Sequence, residues 1–323
     1  MSSDYSNVSV AIVGCGGMGN VHASNYKLNG AKIVAVADEN LDAAKKMAEA
    51  YQCKFYSDYR EMFDKENLTI VSICTPPTLH HKIAIDAFNK KINVFCEKPL
   101  AVTVDEARDM VETAEKNSVY FGVGYCHRYQ WQVRQVKEWL NQGKFGKIVM
   151  FQNRFAGFFE GVENKWFSKK EISGGGMILD TLTHSMDLFR FLVGEAKTVK
   201  ATIHTHNPKI NNVDDTAILL IQTEDGAMAT LEGSWFMPYT PNTISLYGTK
   251  GTAIINYNTN DITYRFDGDT DWQVLKMKEN EQDRFLLEFQ AFLNAVVTKT
   301  TPPVTGIDGL KAMEIYEMAL KSV

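Results

Sequence analysis

The sequence predicts an α/β protein: a doubly wound domain on a parallel sheet, followed by a second α/β domain on a large, mostly antiparallel sheet. Three observations predict it. From Val8 to Tyr125 short, continuous apolar runs alternate with helical stretches, as in strands buried on both faces of a parallel sheet and joined by right-handed crossovers. Directly after the first run comes a glycine-rich turn, Gly14-Cys15-Gly16-Gly17-Met18-Gly19. After Gly146 the pattern changes to strands of half-polar alternation, which an antiparallel sheet with one available face requires.

The elements follow in order. Apolar runs rich in β-branched residues mark strands at 8–13, 33–37, 69–74, 92–96 and 119–123, with 53–56 a weaker candidate. Residues 41–51, rich in Ala and Lys, read as a helix. Thr103-Val104-Asp105-Glu106 is a capping box ahead of Ala107, Met110, Val111 and Ala114, so a helix starts there. An amphipathic helix spans 130–140 and ends in Asn141-Gln142-Gly143. A strand at 148–155 and a helix at 177–193, closed by Gly194, come next. Strands are then expected at 198–206, 216–223, 227–235, 243–247, 252–257 and 262–266. Turns such as Glu224-Asp225-Gly226 and Thr249-Lys250-Gly251 separate several of them. Helices at 283–297 and 307–322 close the chain.

Bulk properties narrow the functions. A length of 323 residues suits two domains, and 45% hydrophobic with 23% charged residues suits a soluble globular protein. A net charge of −5 gives no general attraction to nucleic acid or acidic membranes. No apolar run reaches the roughly 18 residues of a membrane span. The first residues lack the basic-then-apolar pattern of a secretory leader. The five cysteines, Cys15, Cys53, Cys74, Cys96 and Cys126, form no Cys-x-x-Cys pair. Unpaired and odd in number, they point to a reducing cytoplasm.

The glycine turn follows a strand, opens a helix and lies 22–24 residues before Asp38, counted from Gly16 and Gly14. That context is the dinucleotide-binding fingerprint. Gly14 permits the tight turn, Gly16 and the adjoining Gly17 and Met18 let backbone approach a pyrophosphate, and Gly19 lets the helix pack close. The helix N-terminus offers N–H groups and a positive dipole end. Asp38 can accept hydrogen bonds from both ribose hydroxyls. A 2′-phosphate would meet the charges of Asp38 and Glu39, so NAD is favoured over NADP. The alternative is a plain strand–helix turn with Asp38 capping the next helix.

Two further clusters carry chemistry. Glu97-Lys98-Pro99 ends an apolar strand, and ligands of doubly wound sheets sit beyond the carboxyl ends of strands. Lys98 can therefore meet the nicotinamide end of the cofactor, or it is a solvated lysine at a strand terminus. Gly174-Gly175-Gly176 precedes Asp180-Thr181-Leu182-Thr183-His184. Asp180 and His184, four apart, share one helix face, and a histidine beside a carboxylate suits a general base. A capping aspartate and a core histidine are the plainer alternative. The glycines allow a close approach of backbone, to the other domain for example. Asp180/His184, His80-His81 and His204-x-His206 give no three- or four-ligand zinc spacing, so no metal is expected.

The combination of Gly14-x-Gly16-x-x-Gly19, Glu97-Lys98-Pro99 and the triple glycine with Asp180-x-x-x-His184 resembles the Gfo/Idh/MocA oxidoreductases, the family of glucose–fructose oxidoreductase and inositol dehydrogenase. Thr75-Pro76 with His80, Arg128 with Gly143-Lys144-Phe145-Gly146, and Tyr247-Gly248-Thr249-Lys250-Gly251 extend the resemblance along nearly the whole chain. It implies a Rossmann domain over 1–125, a substrate-binding and oligomerisation domain over 126–305, and a last helix, 306–323, that returns toward the first domain. It implies a homodimer or homotetramer built through the open sheet. It also implies that Thr75, Pro76, His80, Glu97 and Lys98 face the cofactor, and that Lys98, Asp180 and His184 meet at the substrate carbinol. Pro77, Leu182 and Cys126-His127 depart from residues common in relatives, so substrate preference does not carry over. The expected reaction is hydride transfer between NAD and a secondary alcohol of a sugar or cyclitol. Tyr125, Arg128, Arg154 and Trp166 are weaker pocket candidates. The alternatives are a glycosidase that uses bound NAD transiently and a dinucleotide-sensing subunit without chemistry.

Overall fold

The computed structural model describes residues 5–210 and 212–323. The chain forms two compact units. One runs to Cys126 and also takes Gln282–Leu310; the other is His127–Glu281 with Lys311–Val323.

The first unit holds β1 (Ser9–Val13), α1 (Gly17–Leu28), β2 (Lys32–Ala37), α2 (Leu41–Tyr51), β3 (Lys54–Tyr56), α3 (Tyr59–Lys65), β4 (Ile70–Ile73), α4 (His80–Asn89), β5 (Asn93–Cys96), α5 (Val104–Asn117) and β6 (Phe121–Val123). Its six strands are ordered β3-β2-β1-β4-β5-β6, and every neighbouring pair is parallel. Strand order reverses between β1 and β4, which places a crevice beyond their carboxyl ends. β4 is buried at every position, which explains its unbroken apolar run. α2 and α5 begin where the sequence predicts. Asn40 caps α2 by accepting from the N–H groups of Asp42 and Ala43. Thr103 caps α5 by accepting from Glu106 N–H, and the Glu106 carboxylate accepts from Val102 N–H.

The second unit holds α6 (Trp131–Asn141), β7 (Ile148–Ala156), α7 (Lys170–Ser173), α8 (Met177–Asp180), α9 (Leu182–Leu192), β8 (Ala196–His204), β9 (Thr216–Thr223), β10 (Met228–Ser234), β11 (Thr243–Gly248), β12 (Gly251–Asn256), β13 (Asp261–Phe266) and β14 (Gln273–Lys276). Its eight strands are ordered β14-β13-β12-β11-β7-β10-β9-β8. Only the β7–β10 pair is parallel; the others are antiparallel. Burial alternates strictly along β9. Leu219, Leu231 and Phe151 are buried on the face that α9 covers. Ile218 (48% exposed), Leu220 (56%) and Met228 (47%) lie on the opposite, open face.

Two helices complete the chain, α10 (Arg284–Thr298) and α11 (Gly306–Leu320). The expected division put residues 282–305 in the second domain. α10 instead belongs to the first unit: Phe289, Phe292, Leu293 and Val296 fill the core around Val10, Ile12, Tyr26, Ile70 and Phe95. Periodicity reveals an apolar helix face but not which core will take it. α11 starts in the first unit and continues into the second.

The predicted helix 177–193 is broken in two at Thr181. The Thr181 hydroxyl accepts from Trp235 Nε1–H at 3.0 Å and lies 3.2 Å from Asp180 Oδ2. A β-branched residue with such a competing tether is a natural break point.

Candidate functional site

In the first unit the glycine turn is shaped by close contacts. Gly14 adopts φ +95°, and a Cβ there would stand 2.7 Å from the carbonyl carbon of Cys74. A Cβ on Gly19 would lie 2.0 Å from Gly14 O. β1, α1 and the end of β4 therefore meet with no room for side chains. Gly16 and Gly17 have open space where a Cβ would point. Gly16 caps α1 without a side-chain hydrogen bond, and the first turn carries no acidic residue. The N–H groups of that turn, Met18 among them, are thus left without a side-chain cap beside open space, as a phosphate site requires. Asp38, half-buried after β2, accepts from Cys15 N–H (2.7 Å) and Asn40 N–H (2.8 Å). It ties the glycine turn to α2, and its carboxylate retains further acceptor capacity. Asn40, not Asp38, is the helix cap. Thr75 Oγ1 is buried without a hydrogen-bond partner. An open, uncapped turn, a neighbouring carboxylate and an orphan hydroxyl fit a dinucleotide.

Lys98, half-buried, follows β5. Two neighbours expected to touch the cofactor are committed inside the domain. The Glu97 carboxylate accepts from His22 Nε2 at 2.8 Å and from the N–H of Lys98 at 3.1 Å. Burial alone would push the Glu97 carboxyl up; the hydrogen bond from His22 and the charges of His22 and Lys98 outweigh it and hold Glu97 low. His80 is fully buried, with Nδ1 3.0 Å from Pro99 O and Nε2 2.8 Å from Thr75 O. Its burial lowers its proton affinity. Both side chains point inward because their polar atoms find partners there, which strand spacing does not reveal.

In the second unit Asp180 ends α8 and His184 lies in the first turn of α9, both half-buried. The His184 ring is 4.3 Å from the His127 ring, and His127 stands edge-on to Phe155 at 5.0 Å. The triple glycine serves Asp214 of the same unit: a Cβ on Gly176 would be 2.3 Å from Asp214 O and 2.5 Å from its Oδ1. Asp214 accepts at its backbone carbonyl from Met177 N–H (2.9 Å) and at its carboxylate from Ile178 N–H (2.8 Å). Burial pushes the Asp214 carboxyl up to about 6. Asp214 thus clamps the start of α8, a role no local sequence pattern marks.

The weaker pocket candidates separate. Arg128 is buried and makes a bidentate pair with Asp187, Nε–Oδ2 2.9 Å and Nη2–Oδ1 2.5 Å; it is engaged in the unit's interior. Arg154 neighbours Phe155 on β7, and successive strand residues point to opposite faces. Phe155 meets His127, so Arg154 lies on the other face, where it pairs with Glu232 at 2.7 Å. It is therefore not beside His184 within this chain. Tyr125 is fully buried, whereas Trp166 stays 43% exposed with its ring 5.7 Å from Phe167.

These features define a dinucleotide-binding oxidoreductase, and the chain belongs to the Gfo/Idh/MocA family. Residues 8–125 match the oxidoreductase family's NAD-binding Rossmann fold, and residues 133–254 match the Gfo/Idh/MocA C-terminal domain. Levoglucosan dehydrogenase of Pseudarthrobacter phenanthrenivorans is 27% identical over 293 residues, covering 79% of this chain and 75% of its own. Myo-inositol 2-dehydrogenase of Thermotoga maritima is 26% identical over 330 residues, covering 97% and 96%. A solved levoglucosan dehydrogenase in complex with NADH and levoglucosan superposes with a TM-score of 0.92 at 23% identity, over 98% of this chain and 96% of that one.

Proposed function

We propose that the protein is an NAD-dependent dehydrogenase that oxidises, reversibly, a secondary alcohol of a sugar or cyclitol. The observation that carries this reading is the open, uncapped glycine turn bound to the Asp38 carboxylate. Gly14, Gly16, Gly17, Met18 and Gly19 would hold the pyrophosphate, Asp38 the ribose hydroxyls, and Thr75 and Pro76 would border the same crevice. Bound NAD supplies the hydride acceptor. His184 takes the hydroxyl proton. Lys98 stabilises the developing alkoxide with its positive charge. Asp180 orients His184 or the hydroxyl. Relatives named for levoglucosan and myo-inositol support a polyol substrate.

The reading extends to assembly and compartment. The open sheet face, with Ile218, Leu220 and Met228 exposed, suits burial against a second copy in a homodimer or homotetramer. The five cysteines are free, which suits a reducing cytoplasm. Among the described residues no helix is long and apolar enough to cross a membrane.

The test is a panel of myo-inositol, levoglucosan and simple glucosides with NAD or NADP, read by absorbance of the reduced cofactor. Turnover of at least one polyol, faster with NAD, is expected. Release of free sugar without reduced cofactor, or cofactor binding with no turnover on any polyol, overturns the reading.

A further inference from the structure

Two buried imidazoles, His22 and His80, have no part in the proposed chemistry. We propose that they are the positioning residues of Lys98: between them they fix the backbone on both sides of the lysine and tie it to the two turns at the strand-order switch. The inference deepens the reading of Lys98 as a catalytic group and rests on it.

His22 lies on α1, just behind the glycine turn, and is 0% exposed. Its Nδ1 is 2.7 Å from Ser72 Oγ on β4, and its Nε2 is 2.8 Å from Glu97 Oε1. An ionised carboxylate only accepts, so Nε2 carries the hydrogen, and the Ser72 hydroxyl satisfies Nδ1. Phe289 and Phe95 stand edge-on to the ring at 4.7 and 5.6 Å and fix its plane. The other Glu97 oxygen holds the Lys98 N–H. Behind the carboxylate, a Cβ on Gly124 would come within 3.0 Å of Glu97 Oε1, so Glu97 is walled in.

His80 acts on the far side. It opens α4, is 0% exposed, and lies between Pro99 O (3.0 Å from Nδ1) and Thr75 O (2.8 Å from Nε2); the neutral ring has one N–H and donates to one of these carbonyls at a time while packing against both. Lys98 thus sits between two anchored neighbours. One anchor starts from the helix of the glycine turn, the other from the Thr75 turn. Core filling alone does not call for these groups. Burying two imidazoles and a carboxylate carries a desolvation penalty that apolar residues of similar volume avoid. Their placement on both flanks of one lysine is what positioning requires, since displacement of a catalytic group by about 1 Å can cost roughly 10²-fold in rate.

The test uses the full chain with and without NAD. Hydrogen–deuterium exchange is followed on the peptide covering residues 94–101. Turnover is followed on the best polyol of the panel, and NAD affinity by cofactor fluorescence. His22→Ala is expected to raise exchange in that peptide while β1 and β4 keep their protection. It should lower kcat about 10²-fold and leave KM and the NAD Kd within about threefold. In a Lys98→Met background, His22→Ala should change kcat by no more than about twofold, because the group it positions is gone. His80→Gln should repeat the pattern more weakly. Equal losses in both backgrounds, or unchanged exchange over 94–101, overturn the proposal. Where His22→Ala also loses protection in β1 and β4, Glu97→Gln, of the same volume, is put through the same cycle and decides by the same criteria. If Lys98→Met turns over like the parent, the catalytic reading of Lys98 fails, and the exchange result still judges whether the segment is held.

Discussion

The two units hold their functional residues by different means. In the first, the glycine turn and Lys98 lie just beyond the carboxyl ends of two buried strands, β1 and β5. Their backbones are fixed by polar side chains: the half-buried Asp38 on Cys15, the buried His22 through Glu97 on Lys98, and the buried His80 against Pro99 O and Thr75 O. In the second, Asp180 and His184 flank a break in a helix whose start is clamped by a single carboxylate, Asp214. The first arrangement ties each turn to a neighbouring element through a side-chain hydrogen bond. The second places its groups on either side of a break between two helices, α8 and α9. On the function proposed above, the first set of groups binds the cofactor and the second meets the alcohol.

His184→Asn breaks this comparison most sharply. Turnover on the best polyol is expected to fall roughly 10²–10⁴-fold, with NAD affinity unchanged in a fluorescence titration. A parallel loss of affinity would mean that the division of labour is wrong. Gly19→Ala and Gly176→Ala form a matched pair, each driving a Cβ to within 2.0 or 2.3 Å of a backbone oxygen. Both should lose about 1–3 kcal/mol in urea unfolding, but only Gly19→Ala should weaken NAD binding. Asp38→Ser removes a like charge from the path of a 2′-phosphate, and the preference for NAD over NADP should narrow by about tenfold, measured as the ratio of kcat/KM values.

Asp214→Asn is the mildest. A carboxyl raised from 3.8 to about 6 favours the folded state most when protonated, so this contribution is complete below 3.8 and lost as pH rises through 6. The asparagine variant lacks that loss. Melting temperatures of variant and parent should converge toward pH 4 and separate above pH 6, the variant being the more stable. A constant difference across the range would mean that the Asp214 carboxyl is not raised in the folded state.

Much of the first unit was legible because its signals are local. Gly14 to Gly19, Asp38 at the end of the next strand and the Thr103 capping box each carry their meaning within a few residues. What escaped was set by distant partners. Glu97 and His80 turn inward because His22, Ser72, Thr75 and Pro99 await them. In the second unit the strand alternation was readable, yet β14 was missed: its burial hardly alternates, all but Leu275 being exposed. The break at Thr181 depends on Trp235, 54 residues away. The triple glycine signalled a close approach correctly, but that Asp214 was the neighbour lay beyond any local pattern.

The allegiance of α10 has a consequence for how this polypeptide comes off the ribosome. Once residues 1–126 have emerged they possess every strand of their sheet, but Phe289 and Phe292, which plug it, are still untranslated. The early product therefore waits, with greasy surface uncovered, until synthesis is nearly over. A truncated gene ending at Cys126 should yield a sticky, chaperone-dependent fragment rather than a free-standing nucleotide binder.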